Sequence, residues 1–120
     1  MKRIISFLCV LCLMALWAIP CHAVEAVLHY WVEDDQAVIT GIESPYEIAL
    51  TIPEEIEGYP VTKIGDAAFS HCTVLSEIVL PDTITVIEDD AFVGCTALRS
   101  VVCSENLHTI EENAFSDCVS

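Results

Sequence analysis

Apolar and polar positions in the second half of this chain repeat with a period far longer than one helical turn or one strand. The segment VTKIGDAAFSHCTVLSEIVLPDT, residues 61–83, aligns without a gap over ITVIEDDAFVGCTALRSVVCSEN, residues 84–106. Nine of the 23 aligned positions are identical, those of Thr62, Ile64, Asp66, Ala68, Phe69, Cys72, Thr73, Leu75 and Val79. LHTIEENAFSDCVS, residues 107–120, begins a third copy. An imperfect half-copy comes earlier, where Leu50-Thr51-Ile52-Pro53 echoes Ile78-Val79-Leu80-Pro81. A fixed period of about 20–30 residues predicts units stacked side by side, each burying its apolar flank against the next.

Within a unit, Leu75, Ile78 and Leu80 keep an L-x-x-L-x-L spacing, and Leu98, Val101 and Cys103 repeat it. The alternation at Ile78, Val79 and Leu80 predicts a short strand with its outer two residues inward and Val79 outward. Val79 and Val102, with Thr51 before them, are therefore the candidate binding face. Phe69, Phe92 and Phe115 are expected to form one file along the core, and Cys72, Cys95 and Cys118 another. Ile64 and Ile87 fill the remaining interior. Asp66, Asp89 and Glu112 stand three residues before each phenylalanine, where a short helical turn is expected to begin. A carboxylate there can accept the orphan N–H bonds of that turn. One strand and one helical turn per unit predict an α/β repeat solenoid of 23-residue units.

The chain before the repeats reads differently. VLHYWV (27–32), the polar EDDQ (33–36) and AVITGI (37–42) predict a β-hairpin. Residues 24–60 are thus read as an N-terminal β cap with the degenerate half-repeat, and Gly58-Tyr59-Pro60 as the turn into the array. Residues 61–120 form the repeats, as 61–83, 84–106 and a partial 107–120. No closing segment follows Phe115, so the C-terminal end is expected to be uncapped and to invite self-association. At the other end Lys2 and Arg3 precede an apolar run, Ile4 to Ile19, then Pro20 and Cys21-His22-Ala23. This order of charge, apolar run and small residue predicts a signal peptide over 1–23. As a membrane anchor the run of 16 residues is short, against about 20 for a span. Pro20 argues against a lipoprotein site at Cys21. No second apolar run follows, so no membrane span is expected after cleavage, and the location expected is secreted or at the cell surface.

Charge narrows the partners. The formal charge is −15, and loss of Lys2 and Arg3 takes it to −17, because all 19 acidic residues lie beyond Ala23. Such a field repels phosphate backbones and excludes nucleic acid as a partner. Of the seven cysteines, Cys9, Cys12 and Cys21 belong to the leader, and Cys72, Cys95, Cys103 and Cys118 remain. Export permits disulfides, and neighbouring rungs bring cysteines within bonding range, about 4.8 Å apart against the 4.4–6.8 Å that a disulfide needs. The alternative, a ladder of buried free thiols, matches the burial habits of cysteine. No C-x-x-C pair suggests zinc. His71-Cys72 resembles a base and nucleophile only in name, since adjacent side chains diverge and the equivalent slots of His71 hold Gly94 and Asp117. His29 and His108 lack ligand spacing. No cofactor and no catalysis are expected. Asp34-Asp35, Glu88-Asp89-Asp90 and Glu111-Glu112 offer oxygen clusters for calcium, but without a D-x-D-x-D-G loop they read better as helix caps and a solvated acidic edge. Tyr30, Trp31, Tyr46 and Tyr59 are candidate aromatic anchors near the cap, with core packing an equal reading for Trp31.

The runs VTKIGDAAFSHCTVLSEIVLP and ITVIEDDAFVGCTALRSV resemble the 23-residue leucine-rich repeats of BspA-like bacterial surface proteins, and TIPEEIEGYPVTKIG is similar to the segment that leads into them. Cys103-Ser104 departs from the apolar-Pro ending present at Leu80-Pro81. The resemblance implies a secreted or surface-displayed, non-catalytic binding module that contacts protein or glycan, with adhesion or host-matrix contact among its roles. Two alternatives stand beside it: a structural spacer or fragment of a larger surface protein, and a calcium-dependent module.

Overall fold

The computed structural model describes residues 5–8, 27–43 and 48–119. The cleavage site at Ala23, Cys9, Cys12, Cys21 and Tyr46 lie outside the described residues. Among these residues ten strands follow in order: β1 (Ile5–Leu8), β2 (Val27–Glu33), β3 (Gln36–Ile42), β4 (Ala49–Thr51), β5 (Glu55–Ile56), β6 (Tyr59–Ile64), β7 (Glu77–Val79), β8 (Val86–Ile87), β9 (Ser100–Val102) and β10 (Thr109–Ile110). They form two sheets. The larger has the order β1-β2-β3-β6-β8-β10, with β5 also on β6, and the smaller has the order β4-β7-β9.

The strand register carries the sequence period. Ile64 pairs with Ile87, and Ile87 with Ile110, in parallel. In the smaller sheet Glu77 pairs with Ser100 and Val79 with Val102. Each partner lies one 23-residue repeat further on. The first coil is longer, because Leu50 pairs with Ile78, a step of 28. The extra length holds the β5–β6 hairpin, whose turn residues Glu57 and Gly58 both have positive φ, 51° and 84°. Two successive positive φ values match the right-handed twist of flanking strands in a two-residue hairpin.

No helix occurs among the described residues, which corrects the α part of the expected α/β class. The segment that carries each phenylalanine is a run of turns instead. The N–H groups of Ala67, Phe69 and His71 donate to the carbonyls of Asp89, Ala91 and Val93 in the next coil, at 3.0, 2.7 and 2.7 Å. Asp90, Phe92 and Gly94 do the same to Glu112, Ala114 and Ser116, at 3.1, 2.8 and 2.8 Å. An α-helix needs those donors for its own i→i−4 bonds. The backbone also turns left-handed at Ala67, Asp90 and Asn113, and again at His71, Gly94 and Asp117. Residues in that conformation end a right-handed helix.

The interior is filled by the repeating columns. Ile64, Phe69, Leu75, Ile78 and Leu80 of one unit and Ile87, Phe92 and Leu98 of the next are buried in a single cluster, with Val101, Leu107 and Phe115 half-buried against it. The antiparallel hairpin β2–β3 turns through Asp34 and Asp35, at φ 49° and 58°. Its second strand lies parallel to β6, with Ala37 opposite Val61 and Ile39 opposite Ile64. Gly65 explains how closely they approach. Its N–H donates to the Ile39 carbonyl at 2.7 Å, and a Cβ at this position would also lie 2.7 Å from that oxygen. Later units carry Glu88 and Glu111 in this column. A second tie is Tyr30, fully buried, whose hydroxyl donates to the Glu57 carboxylate at 2.6 Å. Burial, then the Glu57 carboxylate, raise the Tyr30 phenol well above its ordinary value and keep it a donor.

Candidate binding face

The smaller sheet presents a flat outward surface because its strands alternate. Leu50 and Ile78 point inward and are buried, and Val101 of β9 is half-buried in the same row. Thr51, Val79 and Val102 point outward in direct register across β4, β7 and β9. Val79 is 39% exposed and Val102 52%. Adjacent strands sit about 4.8 Å apart, so the row spans roughly 10 Å. A second outward row, Ala49, Glu77 and Ser100, runs beside it. Sequence reasoning missed this row, although it lies two residues before the first in each copy, which is the strand period.

The corner after the sheet is held by polar bonds. The Asp82 carboxylate accepts from the Glu105 N–H at 3.1 Å, and the Asn106 side-chain amide donates to the Asp82 carbonyl at 2.8 Å. Ser104, in the place of Pro81, is buried and accepts from the Asn106 N–H at 3.1 Å. The departure at Cys103-Ser104 thus keeps the corner bonded, and Cys103 itself is exposed where Leu80 is buried.

Beneath this surface the phenylalanine rings lie in a file. Phe69 and Phe92 stack with centroids 5.2 Å apart, and Phe92 and Phe115 at 5.1 Å, with ring planes nearly parallel at 13° and 3°. The four described cysteines are free. The Cys95 thiol donates to the Phe69 carbonyl at 3.0 Å and the Cys118 thiol to the Phe92 carbonyl at 3.3 Å, so each bonds to the coil before it. Burial pushes the Cys95 thiol up to about 12 and also raises Cys72 and Cys118. These thiols stay protonated and poorly nucleophilic at neutral pH.

The remaining candidates are dispersed. Asp66, Asp89 and Glu112 head runs of turns rather than helices, and the Asp66 N–H donates to the carboxylate of Glu88 at 3.1 Å. His71 is exposed while Cys72 is buried, so the pair faces different surroundings. The imidazole covers Gly94, where a Cβ would fall 2.4 Å from His71 Nδ1. Among the described residues no group of three or more His, Cys, Asp or Glu is placed to hold a metal ion. Tyr59 packs half-buried against the core, Tyr30 is inside it, and Trp31 is half-buried on β2. Among the described residues no helix is long and apolar enough to cross a membrane.

A β-solenoid with one short outward strand per coil is the architecture of a repeat module for interaction rather than of an enclosed pocket. Residues 50–120 match the family described as "BspA type Leucine rich repeat region (6 copies)". The chain belongs to this family of bacterial leucine-rich repeat proteins. Among solved structures it is similar to a Leucine Rich Repeat protein of T. pallidum, at 33% identity and a TM-score of 0.75, over 78% of this chain and 44% of that one. It is also similar to a leucine rich cell surface protein of Faecalibacterium prausnitzii, at 34% identity and a TM-score of 0.69, over 76% of this chain and 26% of that one. A leucine-rich repeat protein of Bacteroides capillosus matches at 32% identity and a TM-score of 0.62, over 75% of this chain and 69% of that one. The chain thus spans less than half the length of the first two. No curated protein matches it.

Proposed function

We propose that this chain is a secreted or cell-surface leucine-rich repeat module that binds protein or glycan without catalysis, through the outward row Thr51, Val79 and Val102. The observation that carries the reading is that row: three side chains in register on a hydrogen-bonded sheet, two of them exposed valines. Repeat arrays use such extended faces for partners. Adhesion or contact with host matrix is the role we favour, supported by the cell-surface description of the F. prausnitzii neighbour. Residues 1–23 act as the signal peptide, 24–60 as the N-terminal cap and 61–120 as the repeats. Export on this scheme removes β1, which pairs Ile5 with Tyr30 and Leu8 with Val27 in the full chain. Residues 27–30 of β2 lose these partners in the mature protein.

The test is a Val79→Gln/Val102→Gln variant set against the parent on immobilised matrix proteins and a glycan array. The parent should bind a definable subset, and the variant should lose it while keeping its melting temperature. Equal binding by parent and variant removes the face from the account. The spacer reading is favoured by one fact, the 26% share that this chain covers of the F. prausnitzii structure. It predicts no ligand on either array, together with longer products that carry more 23-residue units.

A further inference from the structure

The two sheets are treated unequally at their N-terminal ends. The hairpin β2–β3 extends the larger sheet beside β6 and adds nothing to the smaller one. Among the described residues β4 of the smaller sheet is bonded on one side only, to β7. The direction of its bonds is clear. The Ile48 carbonyl accepts from the N–H groups of Ser76 and Glu77 at 2.8 and 3.2 Å, and the Ile52 N–H donates to Val79 at 3.0 Å. In a parallel ladder alternate residues bond to the same neighbour. Ile48, Leu50 and Ile52 therefore serve β7, and the N–H and C=O groups of Ala49 and Thr51 point the other way. Both residues are exposed, and Ile48 beside them is 65% exposed. Free strand edges are ordinarily blunted by shortness, lysine, proline or a bulge; β4 is short, and its three residues include no lysine and no proline.

We infer that the free edge of β4 accepts an extended basic polypeptide segment as an added strand of the smaller sheet. Four backbone groups that alternate donor and acceptor along one line match the main chain of an extended peptide. This is recognition by strand addition, in which main-chain bonds hold the ligand and alternate side chains select it. An apolar side chain of the ligand rests on Ile48. The charge of the ligand follows from its surroundings. Glu77 stands opposite Ala49 on β7, and Glu54 and Glu55 follow β4. Lys63 lies in the other sheet, on β6, and Arg99 precedes β9, two strands from β4. The whole chain carries −15. A cationic strand is therefore drawn to the edge and an anionic one repelled. This site is the sheet's edge, distinct from the outward face proposed above.

The test uses the full chain and a fluorescein-labelled octapeptide of alternating lysine and valine, followed by fluorescence anisotropy. Two controls are the glutamate-valine analogue and a lysine-valine peptide N-methylated on alternate residues. Ala49→Pro removes one outward N–H at the first residue of an edge strand, where proline is tolerated. The lysine-valine peptide should bind saturably. Ala49→Pro and N-methylation should each weaken it by about tenfold, as loss of main-chain bonds requires. Amide exchange at Ala49 and Thr51 should slow when the peptide is added, a readout that holds even if the proline variant fails to fold. The Val79→Gln/Val102→Gln variant should bind the peptide as the parent does, which separates this site from the face. The inference is overturned if the lysine-valine peptide does not bind, if N-methylation is without effect, or if the glutamate analogue binds equally. Concentration-dependent self-association that blocks the peptide and is lost in Ala49→Pro overturns it as well, in favour of a second copy as the occupant.

Discussion

Phe92→Ala is the substitution that probes the stacked interior most sharply. Phe92 is fully buried and lies between two rings, Phe69 at 5.2 Å and Phe115 at 5.1 Å. Truncating a buried phenylalanine to alanine costs about 3–5 kcal/mol. Each stacked pair contributes about 0.5–1.5 kcal/mol beyond area burial, so removing two pairs places Phe92 at the upper end of that range. Phe69 is equally buried but has one ring neighbour in the file, which places Phe69→Ala near the lower end. Phe115 is half-buried with one ring neighbour, so its truncation should cost about 1.5–2.5 kcal/mol, roughly half the fully buried figure. The assay is urea denaturation followed by far-UV circular dichroism. With a slope of about 1–3 kcal/mol per molar, Phe92→Ala should lower the midpoint by roughly 1.5–5 M or leave the chain unfolded in buffer. The expected order of damage is Phe92, then Phe69, then Phe115. A Phe92→Ala midpoint within experimental error of the parent, or Phe115→Ala as damaging as Phe92→Ala, would refute the reasoning.

Four further outcomes follow from named contacts. Gly65→Ala should destabilise by about 1–3 kcal/mol, the usual cost of overpacking, because its Cβ meets the Ile39 carbonyl at 2.7 Å; Gly41→Ala, whose nearest atom is at 3.5 Å, serves as the neutral control in thermal melts. Iodoacetamide footprinting at pH 8 should label exposed Cys103 first and spare Cys72 and Cys95 until denaturant is added, as mass spectrometry of peptides will read. Stability should fall as pH rises above about 8.5, since the unfolded Cys95 thiol ionises there while the folded one holds its proton to about 12; the slope from this group reaches about 1.4 kcal/mol per pH unit, and melts from pH 7 to 10.5 should be flatter in Cys95→Ala by that amount. Asp35→Gly, at a left-handed hairpin position with φ 58°, should raise stability by about 0.5–1 kcal/mol, measured by urea midpoint.

The repeat was legible because it is written in side chains that must face inward. Ile64 and Ile87 are identical in sequence and paired in space, so a 23-residue alignment is also a strand register. The family resemblance rested on the same columns. The helical turns were misjudged for a physical reason. Asp66 or Asp89 before Ala-Phe looks like a cap when only local bonds are considered. The N–H groups of that stretch go to the next coil instead, a long-range choice that local pattern does not display. The signal was present in Asp90, Gly94, Asn113 and Asp117, residue types that tolerate left-handed backbone, but Ala67 and His71 in the same columns hid it. The longer first coil was likewise hidden, since Glu57-Gly58 marks a turn without saying that a hairpin has been inserted. Of the face, Thr51, Val79 and Val102 could be aligned from alternation alone. The free edge of β4 depends on which sheet the hairpin joins, and no spacing in the chain encodes that.

The most direct test of stacked coils is aromatic NMR on a chain with labelled phenylalanine, of which it has four. Rings 5.2 and 5.1 Å apart should give strong cross-peaks between Phe69 and Phe92 and between Phe92 and Phe115. Phe69 and Phe115, two coils apart, should give no direct cross-peak. Loss of the two neighbour contacts, or a direct contact between Phe69 and Phe115, would contradict the architecture.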